Sequence, residues 1–309
     1  MTKELIDLQE PEQDFIGAEL RCAYEKADVI ILPIPYEATT TYRKGCEQGP
    51  MALLAASDQL EYYDAELGCE TCFSVNILTH GAIADTRVQP NLGAEEMLKV
   101  TRETTQSLLQ DQKFVIAVGG EHAITTGIVQ GCLAFDPEPF TVVQIDAHTD
   151  LRDTYEGSEH NHACVMHRVL DLGLPSLPVA IRSLCQEEAD LVKTHNIPVV
   201  WAQEIAQNPD WIEQAIAKIT TKKVFITIDL DGIDPSLIAG VGTPEPGGLD
   251  WYSTLKFLRR IFQTHYVIGC DVMELAPLSD SVVSEYTAAK LVYKLIGYWH
   301  DSQTPKKSV

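Results

Sequence analysis

Three short segments concentrate the residues able to do chemistry: Gly119-Gly120-Glu121-His122, Asp146-Ala147-His148-Thr149-Asp150 and Asp229-Leu230-Asp231-Gly232-Ile233-Asp234-Pro235. Each follows a run of strand-forming residues: FVIAV, TVVQI and VFITI. In extended chain, alternate side chains share a face. Asp146, His148 and Asp150 then converge while Ala147 and Thr149 turn away, and Asp229 stands beside Asp231. Two glycines before His122 let the chain turn tightly, which puts that histidine at the start of the next helix. Four carboxylates and two imidazoles at the ends of apolar strands would repel one another and cost several kcal/mol each in desolvation unless something cationic sat among them. Two divalent ions supply the matching positive charge. Oxygen ligands with some imidazole suit Mn²⁺ and are compatible with Ni²⁺, Fe²⁺ or Zn²⁺, while the absence of thiolate argues against a structural zinc site. A lone DxD or a lone histidine is a turn, a cap or a surface group. Three such segments after three strand-like runs point to a metal centre.

Those residues need a scaffold that brings strand ends together. Short apolar runs bounded by Gly, Pro, Asp or Asn read as buried strands at Val29–Ile34, Phe114–Val118, Thr141–Ile145, Val179–Ile181, Ile197–Val200, Val224–Ile228 and Tyr266–Gly269. Between them lie helix-like stretches, among them Ala94–Gln110, Glu187–Thr194, Asp210–Ile219, Trp251–Phe262 and Ser281–Trp299. In the last, Ala288, Leu291, Val292, Leu295 and Ile296 share one face at helical spacing. This alternation predicts an α/β fold, a mainly parallel sheet with helices on both faces and ligands bound beyond the carboxyl ends of the strands. One domain over residues 1–309 is expected, with residues 1–27 a surface arm and the terminal TPKKSV a frayed tail.

The formal charge of −22, from 45 acidic against 23 basic residues, disfavours nucleic acid and anionic membranes as partners and suits cationic ligands and metal ions. The acidic N-terminus lacks the apolar run of a secretory signal, and no apolar stretch is long enough to span a bilayer. The expected location is the cytoplasm. The eight cysteines are scattered and read there as reduced thiols; Cys69 and Cys72 form one CxxC with no second pair to close a zinc site.

Taken together, GGEH, DAHTD, LRDTYEGSEHNHACVMHRV, AIRS, ITIDLDGIDPS, GTPEPGGL and DVMELAP resemble the ureohydrolase (arginase/agmatinase) family, in that family's order over most of the chain. HACVM and GTPEPGGL favour its agmatinase-like branch. The resemblance implies a three-layer α/β/α sandwich, assembly as trimers or hexamers, and hydrolysis of a guanidinium to urea with two Mn²⁺ per subunit. It implies that His122, Asp146, Asp150 and Asp229 hold one metal and that Asp146, His148, Asp229 and Asp231 hold the other, with Asp146 and Asp229 shared. His162 matches the proton-shuttling histidine, with His160 and His167 as neighbouring rivals. Glu274 matches the acid that grips the guanidinium, and Asp150 would orient the nucleophile. Arg182 is expected in a structural ion pair or a subunit contact. Gly242–Gly248 lacks the Lys-Ser/Thr of a phosphate loop and reads as a shaped turn near the site. The chain departs from many relatives at Met51 and Leu54, where those carry basic residues.

Agmatine, cleaved to putrescine and urea, is the leading substrate. Asp153, Tyr155 and Glu156, in the loop after Asp150, are candidates for a distal amine, which favours agmatine or aminopropylagmatine over arginine. Arg152 in the same loop favours a carboxylate such as that of guanidinobutyrate. The rival readings are arginine or guanidine as substrate, a one-metal deacetylase of the same fold, and a degenerate regulatory homologue.

Overall fold

The β-branched runs form strands whose side chains alternate between two buried layers. In the first of them Val29 and Ile31 enter one core cluster while Ile30, Leu32 and Ile34 enter the other. A strand buried on both faces must be apolar at every position, which is why these runs look continuous and not alternating. The computed structural model describes residues 10–303. In chain order its elements are β1 (Val29–Ile34), α1 (Gly49–Ser57), β2 (Tyr63–Asp64), β3 (Cys69–Glu70), β4 (Ile77–Thr79), α2 (Ala94–Gln110), β5 (Phe114–Gly119), α3 (Ile124–Phe135), β6 (Thr141–Ile145), α4 (Val165–Asp171), β7 (Ser176–Ile181), α5 (Gln186–Thr194), β8 (Val200–Trp201), α6 (Ala202–Gln207), α7 (Trp211–Ile216), β9 (Lys223–Asp229), α8 (Trp251–Thr264), β10 (Tyr266–Met273) and α9 (Val283–Gln303).

Eight strands make one parallel sheet in the order β4-β1-β5-β10-β9-β6-β7-β8, and β2 pairs with β3 in a small antiparallel ribbon. Leu53 of α1, Trp211 of α7, Phe257 of α8 and Leu291 of α9 pack on one face of the sheet. Met97 of α2, Ile128 of α3, Val169 of α4 and Val192 of α5 pack on the other. The result is the expected three-layer sandwich. Leu54, one of the departures from the basic pattern, is fully buried in the α1 side of that core.

Residues 1–9 of the expected surface arm, and the TPKKSV tail, lie outside the described residues. The rest of the arm hugs the body. Phe15 and Ile16 are buried, and their amides donate to Thr79 Oγ1 and Ser57 Oγ at 2.8 Å each. Two apolar side chains in an acidic segment anchor it against α1 and β4.

Candidate metal centre

The four central strands, β5, β10, β9 and β6, are neighbours, and their carboxyl ends carry His122, Glu274, Asp229 and Asp146. The chain passes from β5 to β6 across the places later filled by β9 and β10, so the crevice at these strand ends is a topological switch point.

The local routes differ from simple alternation. After Asp146 the chain bends at Ala147, where the His148 amide donates back to Asp146 Oδ1, and His148 is bridged to Ser183 beyond β7. Asp150 then turns into the left-handed region at φ 50°, and its side chain reaches the cluster from that kink. Asp231 lies on a 3-10 turn, Leu230–Gly232, whose first free amide, that of Asp231, is capped by Asp229 Oδ1 at 2.9 Å. Gly119 and Gly120 are needed for space, not for a turn: a Cβ at Gly119 would stand 1.9 Å from the sulfur of Met273, and one at Gly120 would stand 2.0 Å from the carbonyl oxygen of Tyr36. Glu274 also holds a left-handed backbone, φ 67°. Such conformations cost a non-glycine residue about 1–3 kcal/mol and persist only where the surroundings dictate them.

The six side chains meet. His122 Nδ1 lies 3.1 Å from Asp150 Oδ2, 3.3 Å from Asp146 Oδ2 and 3.4 Å from Asp229 Oδ2. His148 Nδ1 lies 3.0 Å from Asp231 Oδ2 and 3.7 Å from Asp146 Oδ1. Two ligand groups result, His122-Asp146-Asp150-Asp229 and Asp146-His148-Asp231, with Asp146 common to both. Burial and then the neighbouring acids hold Asp146 and Asp229 well above the usual carboxylate range. Burial works against protonation of the two histidines, but their hydrogen bonds to the acids outweigh it: His122 rises well above its ordinary value and His148 rises to about 11. Burial pushes Asp231 up, and the His148 contact brings it below its ordinary value. Carboxylates that resist ionising beside imidazoles that resist losing a proton describe a site short of positive charge. The donor set is all oxygen and nitrogen. It fits a pair of divalent cations.

A cleft of about 290 Å³ opens above these residues, lined by Thr40, Thr41, Arg152, Tyr155, His162, Glu188, Thr243 and Glu274 besides His148, Asp150, Asp229 and Asp231 of the cluster. Of the three histidines after Asp150, only His162 lines it. Its Nδ1 lies 3.8 Å from Glu274 Oε1, its Nε2 is buried without a hydrogen-bond partner, and burial lowers its pKa. His160 faces Glu159, and His167 is taken up by the carbonyl of Leu151 and by Asp153. Glu274 is buried, which raises its pKa well above the carboxylate range, and it accepts from the His122 amide at 2.7 Å.

The loop candidates separate. Tyr155 lines the cleft, with the Arg152 guanidinium stacked 4.6 Å over its ring. Asp153 and Glu156 do not line it. Asp153 turns outward to Arg168 at 2.7 Å, and Glu156 is exposed on a left-handed turn. Neither is placed to hold a distal amine. Arg182 makes no ion pair among the described residues. It donates instead to four backbone carbonyls, those of Ala180, Asp231, Glu245 and Pro246, and so ties the Gly242–Gly248 turn to Asp231.

Three further residues act on the site. Glu121, fully buried, accepts from the amides of Ala38 and Thr39 at 2.6 and 2.7 Å and from Thr39 Oγ1 at 2.7 Å. Thr39 Oγ1 in turn accepts from the His162 amide at 2.9 Å. Glu188 accepts from Thr149, Leu151 and Cys185 and so pins the turn around Asp150 to α5. Gln144 donates to Asp146 Oδ2 at 2.8 Å. The signal for Gln144 was present in the sequence as the amide side chain inside TVVQI, and that for Glu121 as the acid of GGEH left without a ligand role.

The Arginase family model matches residues 27–297 of the chain. An N(1)-aminopropylagmatine ureohydrolase of Synechocystis sp. is 60% identical over 296 residues, 96% of each chain. A protein of the same description from Thermus thermophilus is 34% identical, covering 91% of this chain and 94% of that one. Among solved structures, the agmatine ureohydrolase of Thermoplasma volcanium superposes with a TM-score of 0.81 at 30% identity, over 91% of this chain and 93% of that one. With the sheet order, the shared-aspartate cluster and these matches in agreement, the chain belongs to the arginase family of ureohydrolases.

Proposed function

We propose that this enzyme hydrolyses the guanidinium of N(1)-aminopropylagmatine, releasing urea and the corresponding triamine. The general class, hydrolysis of a C–N bond in a linear amidine, follows from the family. The observation that carries the chemistry is the pair of ligand groups sharing Asp146 at the floor of a cleft walled by Glu274 and His162. The substrate rests on the relative at 60% identity, and it displaces agmatine, which the sequence alone put first.

His122, Asp146, Asp150 and Asp229 would hold one cation, and Asp146, His148 and Asp231 would hold the second; Asp229, expected in both sets, stands with the first. Mn²⁺ is the ion we propose, on the oxygen-rich donor set. A pair of divalent cations held there would lower the pKa of a water and so supply hydroxide near neutral pH. Glu274, ionised on meeting a guanidinium, accepts two of its N–H groups and sets its plane. Asp150 orients the attacking oxygen. His162, neutral at pH 7 because burial lowers its pKa, takes the proton lost by the nucleophile and passes it to the departing amine as the C–N bond breaks. Five acids and one arginine line the cleft, so its field draws cations.

Arg152 at the mouth supports a second reading, a substrate with a carboxylate tail such as guanidinobutyrate. Urea release measured across N(1)-aminopropylagmatine, agmatine, guanidinobutyrate, arginine and guanidine separates the two. We expect the highest kcat/KM on N(1)-aminopropylagmatine. A preference for guanidinobutyrate or arginine would contradict the reading. We further propose a cytoplasmic homo-oligomer, trimer or hexamer, which light scattering would count; among the described residues no helix is long and apolar enough to cross a membrane.

A further inference from the structure

One layer below the ligands, the sheet carries a row of polar side chains where apolar ones would pack. Gln144, Thr227 and Asp271 are register partners across β6, β9 and β10, and all three are fully buried. Gln144 serves Asp146. The other two connect to His122. His122 Nε2 lies 2.8 Å from Thr227 Oγ1, Thr227 Oγ1 lies 3.3 Å from Thr125 Oγ1 of α3, and Thr125 Oγ1 donates to Asp271 Oδ2 at 2.9 Å.

A buried ionised carboxylate only accepts, and that fixes the direction of the whole chain. Thr125 gives its proton to Asp271 and so accepts from Thr227. Thr227 has then given its own proton away and accepts from His122 Nε2. The imidazole proton is thereby held on Nε2, and the lone pair is left on Nδ1. That is the nitrogen facing Asp146, Asp150 and Asp229. A fully buried carboxylate in a sheet interior costs stability by desolvation. A plain valine or isoleucine would fill the place at lower cost. We infer that Asp271 is a positioning residue for His122, setting through Thr125 and Thr227 the tautomer and ring orientation with which His122 binds a cation. This rests on the metal reading above but not on the substrate.

The test is Mn²⁺ titration of the full-length chain by calorimetry and electron paramagnetic resonance, without substrate, on wild type, Thr227→Val, Thr227→Ser and Asp271→Asn. Thr227→Val keeps the shape and leaves the His122 Nε2 proton without an acceptor. The expected result is a Kd raised about 10- to 100-fold at one of the two sites, with the other within about threefold of wild type. Thr227→Ser should restore it, and Asp271→Asn should weaken the same site to a smaller degree. Unchanged binding in folded Thr227→Val, equal weakening of both sites, failure of serine to rescue, or an unaltered Asp271→Asn would overturn the inference. A wild-type chain that takes up no Mn²⁺ would overturn it together with the metal reading. A wild-type chain that binds two Mn²⁺ yet releases no urea would overturn the function and leave the relay standing.

Discussion

His162 lines the cleft beside Glu274, its backbone held by Thr39, and in the proposed reaction it carries the proton from nucleophile to leaving amine. Because it belongs to neither ligand group, His162→Ala should retain two Mn²⁺ per chain and lose about 10²- to 10⁴-fold in turnover, a split that metal analysis and a urea assay read together. A fully active His162→Ala would move the proton transfer elsewhere. Glu274 differs in kind. Glu274→Gln keeps the shape but removes the negative charge that, in the proposed reaction, meets the guanidinium, so kcat/KM should fall by at least tenfold while metal content stays. An unaltered kcat/KM would remove Glu274 from substrate binding. At this scale the residue types were readable from the segments DAHTD, DLDGIDP and GGEH, because nothing but a cation makes so many acids tolerable at strand ends. The outward turn of Asp153 was not readable, because its partner Arg168 stands 15 positions further on.

The elements show how the ligands are actually aimed. Asp146 follows the end of β6 and His148 a bend, while Asp150 arrives through a left-handed kink and Asp231 through a 3-10 turn, so the convergence inferred from period two is reached by another path. Each turn is fastened by a residue distant in sequence: Glu188 at the Asp150 turn, Arg182 at the Asp231 turn and Glu121 at the loop carrying Thr40 and Thr41. Arg182 makes the most specific case. Its planar fork meets four carbonyls, a pattern that a lysine ammonium cannot copy. Arg182→Lys should cost about 1–3 kcal/mol by thermal or urea unfolding and raise KM, since Thr243 on the turn it holds lines the cleft. An unchanged melting temperature would mean that the turn is held by other contacts. The long strands and α2 were legible because burial on both faces, or one strong apolar stripe, leaves its period in the sequence. The two-residue strands β2, β3 and β8, edge strand β4 and the short α4 and α6 were not, or only in outline, since tertiary contacts and not local preference fix them. The buried anchors Phe15 and Ile16 escaped for the same reason: one apolar pair in an acidic stretch has no period.

Across the whole molecule, charge sets the pH response. His122, His148, Asp146 and Asp229 all have folded pKa values raised above their ordinary ones. A group raised in this way stabilises the fold below its unfolded pKa and loses that contribution as pH climbs through the folded value. For His148 the window runs from 6.5 to about 11. Asp231 is shifted the other way, and its contribution is lost only in acid, below the usual carboxylate range. The chelated protein should therefore lose thermal stability between pH 6 and pH 9. Added Mn²⁺ competes with those same protons, so the rise in Tm that it causes should be larger at pH 9 than at pH 6. A metal-induced rise that shrinks with pH would contradict the assignment of these groups as ligands.

Metal counting tests the centre most directly. Mn²⁺-loaded wild type, desalted and analysed by mass spectrometry against protein concentration, should carry two ions per chain, and Asp146→Ala, which removes the carboxylate common to both groups, should carry almost none and release no urea. One ion or none in the wild type, or two ions and full turnover in Asp146→Ala, would contradict the paired site on which the account rests.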